Sequence, residues 1–262
     1  MPIHSTDISL RLQGAASEIA VITLNRPAKR NALNDGLVLA IRDMFQAMPQ
    51  GVRAAVIHGS GDHFCAGLDL SELSERDAGQ GLHHSRMWHS ALEAVQYGPV
   101  PVVAALHGAV VGGGLELAST CHIRVADESA FFALPEGSRG IFVGGGGSVR
   151  IPRLIGAARM ADMMFTGRVY KAEEAERVGL TQYLVPQGTA LDKALELAAR
   201  IAQNAPLTNY ALMHALPRIA EQPADQGYLT EAMMAAIAQS DPEAKSRVRA
   251  FLEGRANKVS RD

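Results

Sequence analysis

The chain has 262 residues, 47% of them hydrophobic, which is enough apolar material for one large domain or a domain with an appendage. Its 25 basic and 27 acidic residues leave a formal charge of −2 with no aromatic-interleaved basic stripe, so nothing supports a nucleic-acid or anionic-membrane partner. Two cysteines outside a CxxC pattern argue against a disulfide framework and for a reducing, cytoplasmic setting. No run approaches membrane-spanning length, and the N-terminus has no charged-then-apolar signal.

In chain order, Ile19–Leu24 has the β-branched content of a strand and stops at Asn25-Arg26-Pro27. Asn34 or Asp35 can cap a helix with Leu37, Val38, Ile41, Met44 and Phe45 on its apolar face. Ala54–His58 is the next strand and leads into Phe64-Cys65-Ala66-Gly67-Leu68-Asp69-Leu70, a small-residue turn into a predicted helix. Cys65 reads as a small buried apolar residue rather than a nucleophile. Residues 71–81 are polar and irregular, the composition of a mobile flap. Met87, Ala91, Leu92 and Val95 then define a helix over Leu82–Tyr97. Its histidines, His83, His84 and His89, have no acidic partner at ligand spacing and do not call for a metal, and Trp88 reads as core.

Pro101–Leu106 is an apolar strand, and His107–Leu117 (HGAVVGGGLEL) is a strand end, a glycine turn and a helix start. The first N–H groups of such a helix lack internal partners, so Gly112-Gly113-Gly114 suits an anion or a developing oxyanion. Glu116, in the first turn, taken alone only stabilises the helix. Short strands follow at Ile123–Ala126 and Ala130–Ala133, then a second carboxyl, Glu136, with Gly140 and the run Gly144–Gly147 beyond it. That run lacks the Gly-Lys-Ser/Thr ending of a phosphate loop, and His107–Gly114 lacks G-x-G-x-x-G spacing, so a nucleotide fold is a poor reading. Two carboxylates, two turns offering N–H donors and a glycine-lined pocket form a coherent acid/base site. From Ala157 onward the pattern is helical, over Ala158–Phe165, Ala172–Val178, Leu191–Ala202, Leu207–Ile219 and Tyr228–Ala238; strand candidates nearly vanish, Gln182–Val185 being one. The methionines there are core first and subunit interface second.

Asn25-Arg26-Pro27 with Asn31-Ala32-Leu33, Phe64–Leu70, His107–Ala118, Pro135-Glu136 with Gly140, and Gly146-Gly147 together resemble the crotonase (enoyl-CoA hydratase/isomerase) superfamily over nearly the whole chain. The resemblance implies an α/β fold of the ClpP/crotonase type, a ββα superhelix with a C-terminal helical trimerisation region. It implies a core over residues 1–195 with the CoA and acyl site, and a helical oligomerisation region over 196–262. The chemistry implied is that of a thioester enolate on an acyl-CoA substrate, with no cofactor beyond that coenzyme A and no metal. Ala66 and Gly113 would give backbone N–H groups to the thioester oxygen. Glu116 and Glu136 would hold a water at the Cα=Cβ bond, Glu116 helping to deprotonate it and Glu136 delivering a proton to Cα. Which is acid and which is base stays open, because close carboxylates titrate as a pair.

By the same resemblance, Ala28, Lys29 and Arg30 lie near the CoA nucleotide, although solvated loop charge is an equal reading of the two cations. Gly67, Leu68 and Asp69 would border the substrate, and Phe251 and Lys258 would reach a neighbour's CoA site in a homotrimer or hexamer. His122, where the family usually has an acidic residue, and Val143, where it usually has proline, are departures. Because both glutamate positions are filled, a 2-enoyl-CoA hydratase ranks first, an enoyl-CoA isomerase second and a thioester hydrolase third. A non-catalytic scaffold is the alternative from another class.

Overall fold

The computed structural model describes residues 6–72 and 75–255, in two units, Met1–Ala202 and Gln203–Asp262. The first begins with β1 (Ile8–Gln13) antiparallel to β2 (Ile19–Leu24), in register from Ile8 opposite Leu24 to Gln13 opposite Ile19. Helix α1 (Asp35–Gln46) is capped by Asn34, whose side chain accepts from Leu37 N, and buries the apolar face expected of it. β3 (Ala54–Gly59) pairs in parallel with β2. The helix expected after Phe64–Leu70 is only a 3-10 turn, Leu70–Glu72. Helix α2 (Ala78–Gln96) starts inside the segment read as a flap, because Asp77 and Gln80 form a reciprocal capping box.

β4 (Val102–Leu106), buried at all five positions, continues the sheet. It is followed by β5 (Ala109–Val111), α3 (Gly113–Thr120), β6 (Ile123–Asp127) and β7 (Phe131–Ala133). Then come α4 (Gly147–Ile155), α5 (Ala157–Thr166), β8 (Tyr170–Lys171), α6 (Ala172–Val178), β9 (Tyr183–Val185) and α7 (Ala190–Ala202). The main sheet runs β1-β2-β3-β4-β6-β9, parallel except for β1; β5-β7-β8 form a second, three-stranded sheet.

Alternation along the strands sorts side chains onto two faces. Ala20, Ile22, Leu24, Ala55, Ile57 and Ala104 join the larger core with α1, α2 and α3. Val21, Val56, Val103 and Ala105 form a second core with α7. The parallel bridge between Cys65 and Val110, with Cys65 N–H donating to Ala109 O at 2.9 Å and Val111 N–H to Cys65 O at 3.1 Å, lays the Phe64–Leu70 turn beside the start of α3. Two turns some forty residues apart in sequence thereby become one surface.

The second unit contains α8 (Pro206–His214), α9 (Leu216–Ile219), α10 (Ala224–Ser240) and α11 (Pro242–Leu252). The single helix expected over Leu207–Ile219 is two, broken at Ala215 just before Pro217, whose ring cannot continue a helix interior. The methionines divide: Met160, Met163 and Met213 are buried, whereas Met233 is exposed on α10 beside Tyr228, Leu229 and Ile237. Lys258 lies outside the described residues.

Candidate active site

Gly112 precedes α3 with φ 53° and ψ −123°, a conformation that favours glycine, and a Cβ there would lie 2.6 Å from Glu136 Oε1. Glu116 sits in the first turn of α3, 4% exposed. Its Oε1 accepts two N–H groups, from Gly145 and Gly147, each at 2.8 Å. The glycine run is therefore a clasp for a carboxylate, and a Cβ on Gly147 would come within 2.8 Å of Glu116 Cγ. Arg150 braces the clasp, donating to Gly145 O at 2.9 Å and to Gln96 Oε1 at 2.6 Å. Sequence reading missed Arg150, since Gln96 comes from α2, 54 residues away. Burial raises the Glu116 pKa, opposed by the clasp N–H groups and the Arg150 charge.

Glu136 precedes the 3-10 turn Gly137–Arg139 and is 7% exposed. Its Oε2 is buried without a hydrogen-bond partner among the described residues. Burial raises its pKa, and the charge of Glu116 raises it further. A buried orphan oxygen costs stability, which marks it as a group kept for chemistry rather than for the fold.

The expectation for Ala66 needs correction. Its N–H donates to Arg30 O at 3.0 Å, so it does not face a ligand. The candidate for the second donor is the Leu68 N–H instead. Leu33 and Leu68 form a parallel bridge in which Leu33 N–H donates to Gly67 O at 2.7 Å and Asp69 N–H to Leu33 O at 2.8 Å. In this bridge Leu33 bonds through its own N–H and C=O, whereas the other strand bonds through Gly67 and Asp69, which flank Leu68 and leave the Leu68 N–H on the opposite side. A Cβ on Gly113 would lie 3.5 Å from Leu68 N, so the Leu68 and Gly113 backbones are neighbours. Gly67, at φ 97°, makes the turn between them, and a Cβ on it would be 2.8 Å from Val111 O.

Asp69, expected to border the substrate, is engaged inside the chain. Arg26 Nη2 reaches its carboxylate at 3.0 Å, Ser71 Oγ at 2.6 Å and Lys29 Nζ at 3.7 Å. The Ser71 hydroxyl and Arg26 hold its pKa at about 2 despite burial. Lys29 also donates to Ser71 Oγ at 3.1 Å, so its charge has an internal role. Ala28 and Arg30 are exposed in the same turn, where Arg30 takes φ 51°. Phe251 is 56% exposed on α11 of the second unit.

A cavity of about 370 Å³ brings Leu68, Gly113, Glu116 and Glu136 together under Trp88 and Phe142. Trp88, only 4% exposed, is both core and cavity wall. His84 does have an acidic partner, from another helix: its Nε2 lies 2.7 Å from Asp35 Oδ1, which also accepts from Trp88 Nε1 at 3.0 Å. His122 accepts from Val102 N–H through Nδ1 at 3.0 Å, and its Nε2 lies 3.0 Å from Gln96 O, so this departure ties β4 to the end of α2. Val143 is buried and lines the cavity. Burial pushes the thiols of Cys65 and Cys121 up to about 12, which leaves neither as a thiolate nucleophile.

A largely parallel sheet packed with helices, beside a cavity that two buried carboxyls line, is the arrangement of an enzyme of the crotonase fold. The chain belongs to the enoyl-CoA hydratase/isomerase family, whose model matches residues 14–260. It is 34% identical over 244 residues to the enoyl-CoA hydratase EchA19 of Mycobacterium tuberculosis, covering 90% of this chain and 91% of that one. It is 33% identical over 241 residues to the 2,3-dehydroadipyl-CoA hydratase of Escherichia coli K12, covering 90% and 93%. A solved structure from Rhodopseudomonas palustris CGA009, provisionally described as an enoyl-CoA hydratase, is 61% identical with a TM-score of 0.92 and 97% of both chains covered.

Proposed function

We propose that the protein is an enoyl-CoA hydratase, adding water across the 2,3 double bond of a 2-enoyl-CoA to give a 3-hydroxyacyl-CoA. The observation that carries this reading is the pair of buried carboxyls, one clasped by two N–H groups and one with an unpartnered oxygen, lining one cavity. The thioester oxygen sits between the N–H groups of Leu68 and Gly113, in place of the Ala66 and Gly113 pair expected from sequence. Negative charge grows there as water attacks Cβ, and preorganised donors stabilise it in the transition state. Glu116 orients the water and takes its proton; the clasp fixes the carboxylate and so the line of attack. Glu136, with a raised pKa and a bare oxygen, delivers the proton to Cα. Isomerisation needs one shuttling carboxyl, whereas hydration needs a base for water and an acid for carbon, which suits two.

The substrate brings the coenzyme A, and the residues about the site call for no further cofactor. Ala28 and Arg30 remain our candidates for the nucleotide end of coenzyme A. Exposed Tyr228, Leu229, Met233 and Ile237 on α10 support a helical oligomerisation region and a homotrimer or hexamer, which light scattering tests. A cytoplasmic location is consistent with two buried, unpaired cysteines. Among the described residues no helix is long and apolar enough to cross a membrane.

Incubating crotonyl-CoA in ¹⁸O-water tests the reaction. A hydratase places the label on Cβ and leaves the thioester intact. Label only in a released carboxylate makes the protein a hydrolase, and migration of a 3-enoyl double bond without hydroxyacyl product makes it an isomerase.

A further inference from the structure

The catalytic reading leaves one cation in the cavity wall without a role. Arg76 lines the same cavity as Glu116 and Glu136, with a quarter of its side chain exposed. Its one ion pair among the described residues is a long contact, Nη2 to Asp35 Oδ2 at 3.8 Å, beyond hydrogen-bonding reach. Asp35 is turned elsewhere: Oδ1 takes the Trp88 indole and His84 at 3.0 and 2.7 Å. Among the described residues, most of the five guanidinium donors therefore meet no acceptor.

Local stability does not explain this arginine. Arg76 immediately precedes Asp77, the N-cap of α2, and a cation at the positive end of a helix is electrostatically unfavourable. The cap itself is complete without it, through Asp77 and Gln80. A ligand anion beside Arg76 would relieve that repulsion and meet both the guanidinium and the helix N-terminus.

The position along α2 says which part of a substrate would meet it. Gly81, His84 and Trp88 of that helix face the cavity, spaced by three and four residues on one side. Trp88 abuts the reactive end, its Cζ3 lying 3.3 Å from where a Cβ on Gly113 would be. Gly81 is seven residues earlier, about 10 Å along the axis at 1.5 Å per residue, and Arg76 precedes it. Leu68, Ile141 and Phe142 add apolar wall to this cavity, beside His84 and Ser85 of α2. An acyl chain starting at Gly113 thus has Leu68, Ile141 and Phe142 to pack against and runs toward a cation.

We propose that Arg76 recognises a carboxylate at the far end of the acyl chain, so that the preferred substrates are 2-enoyl-CoA thioesters of dicarboxylic acids. The proposal rests on the hydratase reading for the word enoyl but not for the recognition itself. A charge-assisted, bidentate contact of this kind is worth roughly ten- to a hundredfold in affinity.

Binding of saturated thioesters tests it without turnover. Adipyl-CoA and hexanoyl-CoA, and the corresponding eight-carbon pair, are titrated calorimetrically into the wild-type protein and into Arg76→Met and Arg76→Lys. The carboxylate-terminated ligand should bind about tenfold or more tighter than its methyl-terminated partner at one or both lengths. That ratio should fall to near one in Arg76→Met and be partly restored in Arg76→Lys. Equal or weaker binding of both carboxylate-terminated ligands to the wild type overturns the proposal, as does a ratio that survives in Arg76→Met. Turnover of the matching enoyl thioesters is read separately: if neither is hydrated, the hydratase reading fails while the binding ratio still decides the role of Arg76.

Discussion

Replacing Gly113 by alanine separates the oxyanion site from the fold. Gly113 opens α3 with a φ outside the left-handed region, so alanine adopts its backbone without strain. The new methyl would lie 3.3 Å from Trp88 Cζ3, 3.5 Å from Leu68 N and 3.7 Å from Gly67 C. Only the first is tight, and a ring edge can yield by a few tenths of an ångström. Against that small cost stands the better helix propensity of alanine, up to about 1 kcal/mol. Stability should therefore change by no more than about 1 kcal/mol. Activity should not survive, because a carbon 3.5 Å from Leu68 N occupies the space in which a thioester oxygen would accept from both donors. Loss of a single such donor costs about 2.7–4 kcal/mol, or 10²–10³ in kcat, and displacement from two should cost at least that. Decay of the ultraviolet absorbance of crotonyl-CoA gives the rate, and denaturant unfolding of the same preparation gives the stability. Near wild-type kcat/KM with unchanged stability would remove Gly113 and Leu68 from the oxyanion site. A collapse in stability would mean that the glycine serves packing instead.

Glu116→Gln and Glu136→Gln should each lower kcat about 10²–10⁴-fold, and near wild-type hydration by either variant excludes that residue from proton transfer. Glu136→Gln should also stabilise the protein at neutral pH: its folded pKa is raised, so the native state gives stability below the ordinary carboxylate range and loses it as pH rises through the folded value. Its thermal advantage over wild type should accordingly vanish toward pH 4, and a constant difference across pH would refute the assignment. Asp69 behaves oppositely, with a pKa lowered from 3.8 to about 2, so its contribution is present above about pH 4 and lost as pH falls toward 2. Asp69→Asn should cost at most about 2 kcal/mol at pH 7, read by urea unfolding, and the deficit should disappear in acid.

Much of the site was legible because backbone conformation writes itself into glycine. Gly112, Gly67 and Gly146 stand at φ 53°, 97° and 96°, and only a chain built around those turns has reason to place glycine there. Helix periodicity likewise located α1, which buries the stripe of Leu37, Val38, Ile41, Met44 and Phe45 that sequence alone displays. The carboxyls Glu116 and Glu136 were visible as residues, and so was the turn that holds the second donor. Which N–H of that turn faces the ligand was not visible. Ala66 and Leu68 are two residues apart, and the choice between them depends on Leu33 pairing with Leu68 and on Arg30 turning its carbonyl to Ala66. Asp69 looked like a ligand-facing charge until the structure brought Arg26 from 43 residues away to meet it. Arg150, the Asp35–His84–Trp88 cluster and the open face of Arg76 are decided in the same way, by partners on other elements. Local sequence fixes the conformation a residue can take; where a polar group points follows from which distant group reaches it first, because each buried donor or acceptor must be matched by something the chain brings from elsewhere.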